Sequence, residues 1–172
     1  MDSVRSKWND RYASAHQRLD VDAHLATFVK NLEAGEALDI ACGLGQNALF
    51  LRDLGWKVDA IDISDKAIEA LAGEKNVTAL RTDIADFSWP KESYDLILNI
   101  NFLDRSIFSN MIAALRPGGY LFFKTFTYRS AMNPAYTLAK NELVKAFEAL
   151  EIERYELLAD GRALLIASKS HR

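Results

Sequence analysis

The sequence predicts an α/β fold: a seven-stranded, mostly parallel sheet with helices on both faces. Three observations predict it. Apolar strand-length runs alternate with helix-length segments through most of the chain. The stretch from Ala37 to Ser64, ALDIACGLGQNALFLRDLGWKVDAIDIS, reads as a buried strand, a glycine loop, a helix and a second strand ending in an acid, which is half of a nucleotide-binding unit. Near the carboxyl end, Asp160-Gly161 separates two strand-like runs and signals a hairpin that closes the parallel part of the sheet with an antiparallel pair.

The elements follow in order. Met1 to Leu32 reads as helical, broken near Leu19 to Asp22. Ala37 to Ala41 is the first strand, and Gln46 to Leu54 the first helix of the α/β unit, with Gly55 as its C-cap. Val58 to Ile61 forms the second strand, Ser64 caps a helix running through Leu71, and Val77 to Arg81 is the third strand. Tyr94 to Ile100 is the fourth. Ser106 to Leu115 is helical and stopped by Pro117-Gly118-Gly119, after which Tyr120 to Thr125 is the fifth strand. Asn141 starts a helix to Leu150, and Ile152 to Leu158 pairs with Ala163 to Ser168 across a two-residue turn.

The chemistry concentrates in the glycine loop. Gly43 lets the chain turn sharply out of the strand, and Gly45 admits backbone to a ligand with no side chain in the way. Ala48 takes the third place of a Gly-x-Gly-x-x-Gly/Ala pattern, where a small residue lets the helix pack close to the sheet. Asp62 follows Gly45 by seventeen residues, where a carboxylate accepts hydrogen bonds from a ribose diol. Asp39, four residues before Gly43, then separates the candidate ligands. A pyrophosphate beside it would face a like charge in a partly desolvated crevice. S-adenosylmethionine carries no phosphate and presents an ammonium group instead, so an acid here favours the methyl donor over NAD.

These segments resemble the class I S-adenosylmethionine-dependent methyltransferases, whose first motif is an acid, one or two small residues and Gly-x-Gly. CGLGQNALFL followed by VDAIDISDKAI is most similar to the branch that includes the tellurite-resistance methyltransferases. The resemblance runs from about Trp8 to Lys169, is strongest through Ala79, and includes WNDRYA, LRPGGYLFFKTF and NPAYTL. It implies a Rossmann-like methyltransferase domain over residues 1–172, with a helical cap or lid at 1–35 and an α/β core at 36–172. It also implies S-adenosylmethionine as cofactor and a small-molecule methyl acceptor as partner.

Length and composition agree. One domain is the prior for 172 residues, and no second catalytic domain fits beside it, which weighs against a nicotinamide dehydrogenase. Twenty-one basic residues stand against 24 acidic ones without a basic block, so nucleic acid is a poor partner. The lone cysteine forms no internal disulfide, no targeting segment is evident, and no apolar run approaches the ~20 residues that cross a bilayer. The expected location is the cytoplasm. No spacing suggests a metal site.

The expected cofactor site draws on backbone around Ala41, Cys42, Gly43 and Gly45 for the methionine portion, Asp62 and Ile63 for ribose and adenine, and Asp83 and Ile84 for the adenine edge, with Asn47 as a further cofactor-binding residue. Asp39 borders it, and Asn99 lines its floor near the sulfonium. Asp83 and Asp86 also read as turn caps. The resemblance suggests that WNDRYA folds over the cofactor with Arg11 near the methionine carboxylate and Tyr12 beside it. Cys42 reads as small, buried and inert, because no histidine is placed to activate it. Acceptor contacts are expected from Asn101, Phe102 and Arg105 after the fourth strand, and from Tyr128, Arg129, Met132, Asn133 and Tyr136 after the fifth, with His24 as an addition.

No general acid or base stands out. Methyl transfer from a sulfonium needs mainly proximity and exclusion of water, so catalytic residues are not assigned, and an acceptor already ionised, a thiolate or a chalcogen, fits best. The Asn-Pro-Pro-Tyr type motif of amino-group methyltransferases is replaced by Asn99-Ile100-Asn101-Phe102. A binding protein without catalysis and an NAD-dependent oxidoreductase stay open as alternatives.

Overall fold

The computed structural model describes residues 2–15 and 17–171. Met1, the expected start of the first helical segment, lies outside them, as do His16 and Arg172. The chain divides into two compact units, one ending at Phe87 and the other starting at Ser88. Seven strands occur in the order β3-β2-β1-β4-β5-β7-β6, numbered along the chain with the ranges given below.

The first unit opens with helices α1 (Asp2–Ala13) and α2 (Ala23–Phe28). The break between them is wider than expected, and Asp22 starts α2 by accepting the Leu25 amide at 3.0 Å. Strand β1 (Glu36–Ile40), helix α3 (Gln46–Asp53), strand β2 (Lys57–Asp62), helix α4 (Asp65–Glu69) and strand β3 (Val77–Arg81) follow. The three strands are parallel, with Asp39 opposite Ala60 and Asp62 opposite Arg81. Four of five β1 residues are buried, as in a strand covered on both faces, and the acid Asp39 is among them. Leu38, Ile40, Leu51, Ile61 and Leu71 fill this unit's core. Helix α4 ends two residues before the expected Leu71, which the chain reaches through turns.

The second unit holds strand β4 (Tyr94–Ile100), helix α5 (Phe108–Ala114), strand β5 (Leu115–Phe126), helix α6 (Glu142–Ala146) and strands β6 (Glu151–Leu157) and β7 (Arg162–Ser168). Strands β4 and β5 are parallel, whereas β7 runs antiparallel to both β5 and β6. The core is aromatic: Phe108, Phe123 and Phe147 meet with ring centroids 5.0–5.7 Å apart.

Three expectations are corrected here. Pro117-Gly118-Gly119 lies inside β5 rather than before it: Leu115 already pairs with Tyr94, and the register resumes with Tyr120 opposite Leu96. The intervening residues bulge out, and at Gly119 a Cβ would come within 2.9 Å of the Tyr94 carbonyl oxygen. Helix α6 covers half of the expected Asn141–Leu150, because Asn141 adopts φ +60° and the residues after Ala146 turn to bury Phe147 and Leu150. The hairpin loop is three residues long: Leu158 and Arg162 close it at 2.7 Å, with Ala159 and Asp160 in the turn and Gly161 at φ +87°.

Candidate functional site

The site begins where β1 ends. Ala41 and Gly43 both take positive φ (53° and 57°), so the chain leaves the strand in a tight left-handed reversal. The Cys42 amide donates to the Ile61 carbonyl at 3.0 Å, and the Gly45 amide donates back to the Cys42 carbonyl at 3.1 Å. Gly45 then caps α3 at φ +84°, and a Cβ there would fall 2.3 Å from Leu71 Cδ2. Both backbone conformations favour glycine, and at Gly45 Leu71 leaves no space for a side chain. Ala48 is fully buried at the first turn of α3, as its place in the motif demands.

Two acids frame the loop. Asp62 Oδ2 accepts the Gly43 amide at 2.9 Å and Oδ1 accepts the Ser64 amide at 2.9 Å. Burial raises the Asp62 carboxyl while those amides hold it back. The Ile63 amide holds it back as well. Asp39 is different: it is 2% exposed and its Oδ2 has no hydrogen-bond partner among the described residues. Burial, with the charge of Asp62 adding, pushes its carboxyl up to about 7. An orphaned carboxylate oxygen beside a glycine loop suits a cationic ligand.

Tyr12 covers the loop from α1. Its hydroxyl stands 3.2 Å from where a Gly43 Cβ would be, and its ring stacks on Trp8 at 5.7 Å. Burial, then the Asp62 charge, raises the phenol well above its ordinary value, so it is a neutral hydrogen-bonding group. Arg11 is exposed and lies over the Trp8 ring at 5.1 Å. Cys42 is 4% exposed and its thiol is pushed up by burial and by Asp39 and Asp62, so it is an inert packing group.

The remaining expected residues divide by what already engages them. Asn47 Oδ1 accepts the Asp22 amide at 3.0 Å, bracing the start of α2. Asp83 Oδ1 accepts the Ala85 amide at 3.0 Å, capping a 3₁₀ turn whose first residue, Ile84, is buried. Ile63, between Asp62 and Ser64, is half-buried. In the second unit Asn99 is fully buried; its Nδ2 donates to the Phe102 carbonyl at 2.7 Å and its Oδ1 has no partner among the described residues.

The acceptor candidates also belong to the second unit, apart from His24 on α2. Arg105 is forked onto Glu142 at 2.6 and 2.9 Å and reaches the Thr137 carbonyl at 3.1 Å, so its charge is matched within the unit. Asn133 caps the Pro134–Tyr136 turn through the Ala135 amide. Tyr128, Met132 and Tyr136 are 49, 46 and 63% exposed. Asn101 accepts from Arg162 at 3.0 Å, and Phe102, whose carbonyl takes the Asn99 amide, is half-buried.

Two residues escape a sequence reading. Arg18 donates Nε to the Leu44 carbonyl of the glycine loop at 2.7 Å and another nitrogen to the Ala70 carbonyl. Asn9 bonds to Ser64, Asp65 and Lys66. Nothing local marks Arg18, and Asn9 is visible only as one letter of WNDRYA.

With this geometry in place, the comparisons are specific. The family model for the tellurite resistance protein TehB matches residues 4–159. The chain belongs to the TehB family. Hemagglutinin 1 of Eikenella corrodens is 28% identical over 162 residues, covering 86% of this chain and 54% of that protein. The probable S-adenosyl-L-methionine-dependent methyltransferase TehB of Haemophilus influenzae (strain 10810) is 27% identical over 164 residues, covering 87% and 57%. The chain therefore spans about half the length of these two relatives. The crystal structure of TehB from Haemophilus influenzae superposes with a TM-score of 0.77 at 24% identity, covering 95% of this chain and 67% of that one, a likeness of fold. Among the described residues no helix is long and apolar enough to cross a membrane.

Proposed function

We propose that this chain is a methyltransferase that binds S-adenosylmethionine at the β1–α3 loop and transfers its methyl group to a small-molecule acceptor. The observation that carries the reading is Asp39, a buried acid with an oxygen unpartnered among the described residues, two positions before the loop that leaves β1. A pyrophosphate there would meet uncompensated negative charge, whereas an ammonium group supplies the missing partner. The name of the Haemophilus influenzae relative supports the same donor.

In this reading the loop amides and Asp39 receive the methionine end, Asp62 and Ile63 the ribose, and Asp83 and Ile84 the adenine. Arg11 pairs with the donor carboxylate by leaving its place over Trp8, and Asn99 offers its free Oδ1 from the end of β4. Bound S-adenosylmethionine supplies a methyl group on a sulfonium, which is an activated leaving group. The chain's own work is orientation and exclusion of water, and Tyr12 over Gly43 does part of both.

The acceptor we propose is a thiol reacting as its thiolate, or an anionic chalcogen nucleophile, which once ionised needs no base. The family's description as tellurite resistance supports a chalcogen. Arg105, Tyr128 and Asn133 are the proposed acceptor contacts. The reading extends to residues 1–172 acting as one domain with 1–35 as a cap, and to a cytoplasmic location.

The test is a thermal shift with S-adenosylhomocysteine and with NAD, followed by incubation with S-adenosylmethionine and a thiol panel, selenite or tellurite. Ligand at 100 times its dissociation constant stabilises by about 2.7 kcal/mol. A rise with S-adenosylhomocysteine alone and acceptor-dependent formation of it support the reading. A rise with NAD alone overturns it, and binding without turnover leaves a donor-binding protein.

A further inference from the structure

Helix α1 has little of its own to hold it in place. It buries no residue along its 12 positions. An isolated helix of about 12 residues is marginal in water, so its docking must come from specific contacts. Yet it carries Tyr12, which closes over Gly43, with Trp8 stacked behind.

Among the described residues, Asn9 ties the helix to the start of α4 by hydrogen bonds. Asn9 Oδ1 accepts from the Ser64 hydroxyl at 2.6 Å and from the Lys66 amide at 3.4 Å, while its Nδ2 donates to Asp65 Oδ2 at 3.1 Å. Ser64 also accepts the Ala67 amide at the start of α4, so its proton is committed to Asn9. The Ser64 amide donates to Asp62, and Asp62 accepts from Gly43. Asn9 and Tyr12 lie one helical turn apart on the same face. The contacts therefore form a closed ring: Tyr12 over Gly43, Gly43 to Asp62, Asp62 to Ser64, and Ser64 to Asn9.

Only an amide satisfies this position. It must accept with one atom and donate to a carboxylate with the other; an acid would set a second charge against Asp65, and an aliphatic side chain would remove the partner of the Ser64 hydroxyl and the Lys66 amide and leave Asp65 with Arg81 alone. We infer that Asn9 is a positioning residue, a latch that keeps α1 shut on the glycine loop, so that breaking its bonds to Ser64 and Asp65 opens the donor site. The inference rests on the donor reading for its consequence, the slow release of an adenosyl ligand.

The experiment compares wild type, Asn9→Ala, Asn9→Asp and the reversed pair Asn9→Asp with Asp65→Asn. Two quantities are measured: the dissociation rate of S-adenosylhomocysteine, and amide exchange of residues 4–13 in the ligand-free protein. Loss of about three modest hydrogen bonds, partly replaced by water, is expected to speed release about tenfold and to remove α1 protection. Peptides from β4, β5 and β7 should keep theirs. The reversed pair should restore slow release, because amide and carboxylate again face each other; a role confined to stabilising α4 would not show this rescue. Unchanged release and unchanged α1 exchange in Asn9→Ala overturn the latch. If wild type binds no S-adenosylhomocysteine, the donor reading fails and exchange alone decides the latch: faster in Asn9→Ala supports it, unchanged refutes it.

Discussion

The Gly43 amide donates to Asp62 Oδ2 at 2.9 Å, so the loop that leaves β1 and the acid that ends β2 are one unit rather than two independent features. Removing that acceptor leaves a loop amide unpaired and releases a residue held at φ +57°. Asp62→Ala is therefore expected to weaken S-adenosylhomocysteine binding by more than the loss of ribose contacts alone. Asp62→Asn, which keeps one acceptor oxygen, should fall between Asp62→Ala and wild type. Isothermal titration of the three proteins checks the order; equal affinities for the two variants would show that the frame does not matter.

Gly45 admits no side chain. A Cβ would overlap Leu71 Cδ2 at 2.3 Å, and φ is +84°. Leu71 is itself buried in the core. Gly45→Ala is expected to destabilise the fold by about 2–4 kcal/mol, combining left-handed backbone strain with overpacking. Urea denaturation measures it. A loss under 0.5 kcal/mol would mean that Leu71 yields without resistance.

Asp39 predicts an unusual pH dependence. Its folded pKa, about 7, lies above its unfolded value near 4, so the folded state holds a proton that the unfolded state has released. Stability from this group therefore falls as pH rises from about 4 to 7 and is level above, and the upward shift of Asp62 acts with the same sign. Affinity for a cationic ligand should rise through the same range as the carboxylate forms. Asp39→Asn should flatten both curves. Denaturation and S-adenosylhomocysteine titration at pH 5, 6, 7 and 8 give the answer, and parallel curves for variant and wild type would refute it.

Much of this was legible in the sequence, and the reason is local. Gly43, Gly45 and Ala48 encode a turn and a close packing that few residues satisfy, and Ser64 is a cap because its hydroxyl serves the Ala67 amide. Strands β3 and β4 match their expected bounds because apolar runs and flanking polar residues mark them. The misses are non-local. Pro117-Gly118-Gly119 looked like a stop, yet Leu115 pairs with Tyr94, which no window of sequence contains. Arg18 and Asn9 act through the carbonyls and side chains of residues 26 to 57 positions away. The orphaned oxygen of Asp39 appears only once its neighbours are placed.

Cys42 is expected to be unreactive in the native protein. It is buried, its thiol is raised by burial and two nearby carboxylates, and thiolate is the reacting form. Labelling with a chromogenic disulfide should be slow in buffer and fast in guanidinium chloride. Cys42→Ala should cost about 1 kcal/mol of stability or less and retain S-adenosylhomocysteine binding, since only a small hydrophobe is trimmed. Rapid native labelling would contradict the burial.

Arg105 and Glu142 should reveal themselves at the opposite end of the pH scale. The guanidinium fork lowers the Glu142 carboxyl, so the stabilisation is present above the ordinary carboxylate range and is lost as pH falls through the folded value. Arg105 is about half exposed, which limits the pair to roughly 1 kcal/mol at pH 7. Arg105→Ala is expected to lose that amount at pH 7 and almost nothing near pH 3. Acceptor kinetics add a second reading: if Arg105 also orients an anionic acceptor, the same variant raises KM for that acceptor while Glu142→Gln, which frees the guanidinium, lowers it. Stability that shifts equally at both pH values would show that packing by the arginine stem, not the fork, ties the start of α6 to the segment after β4.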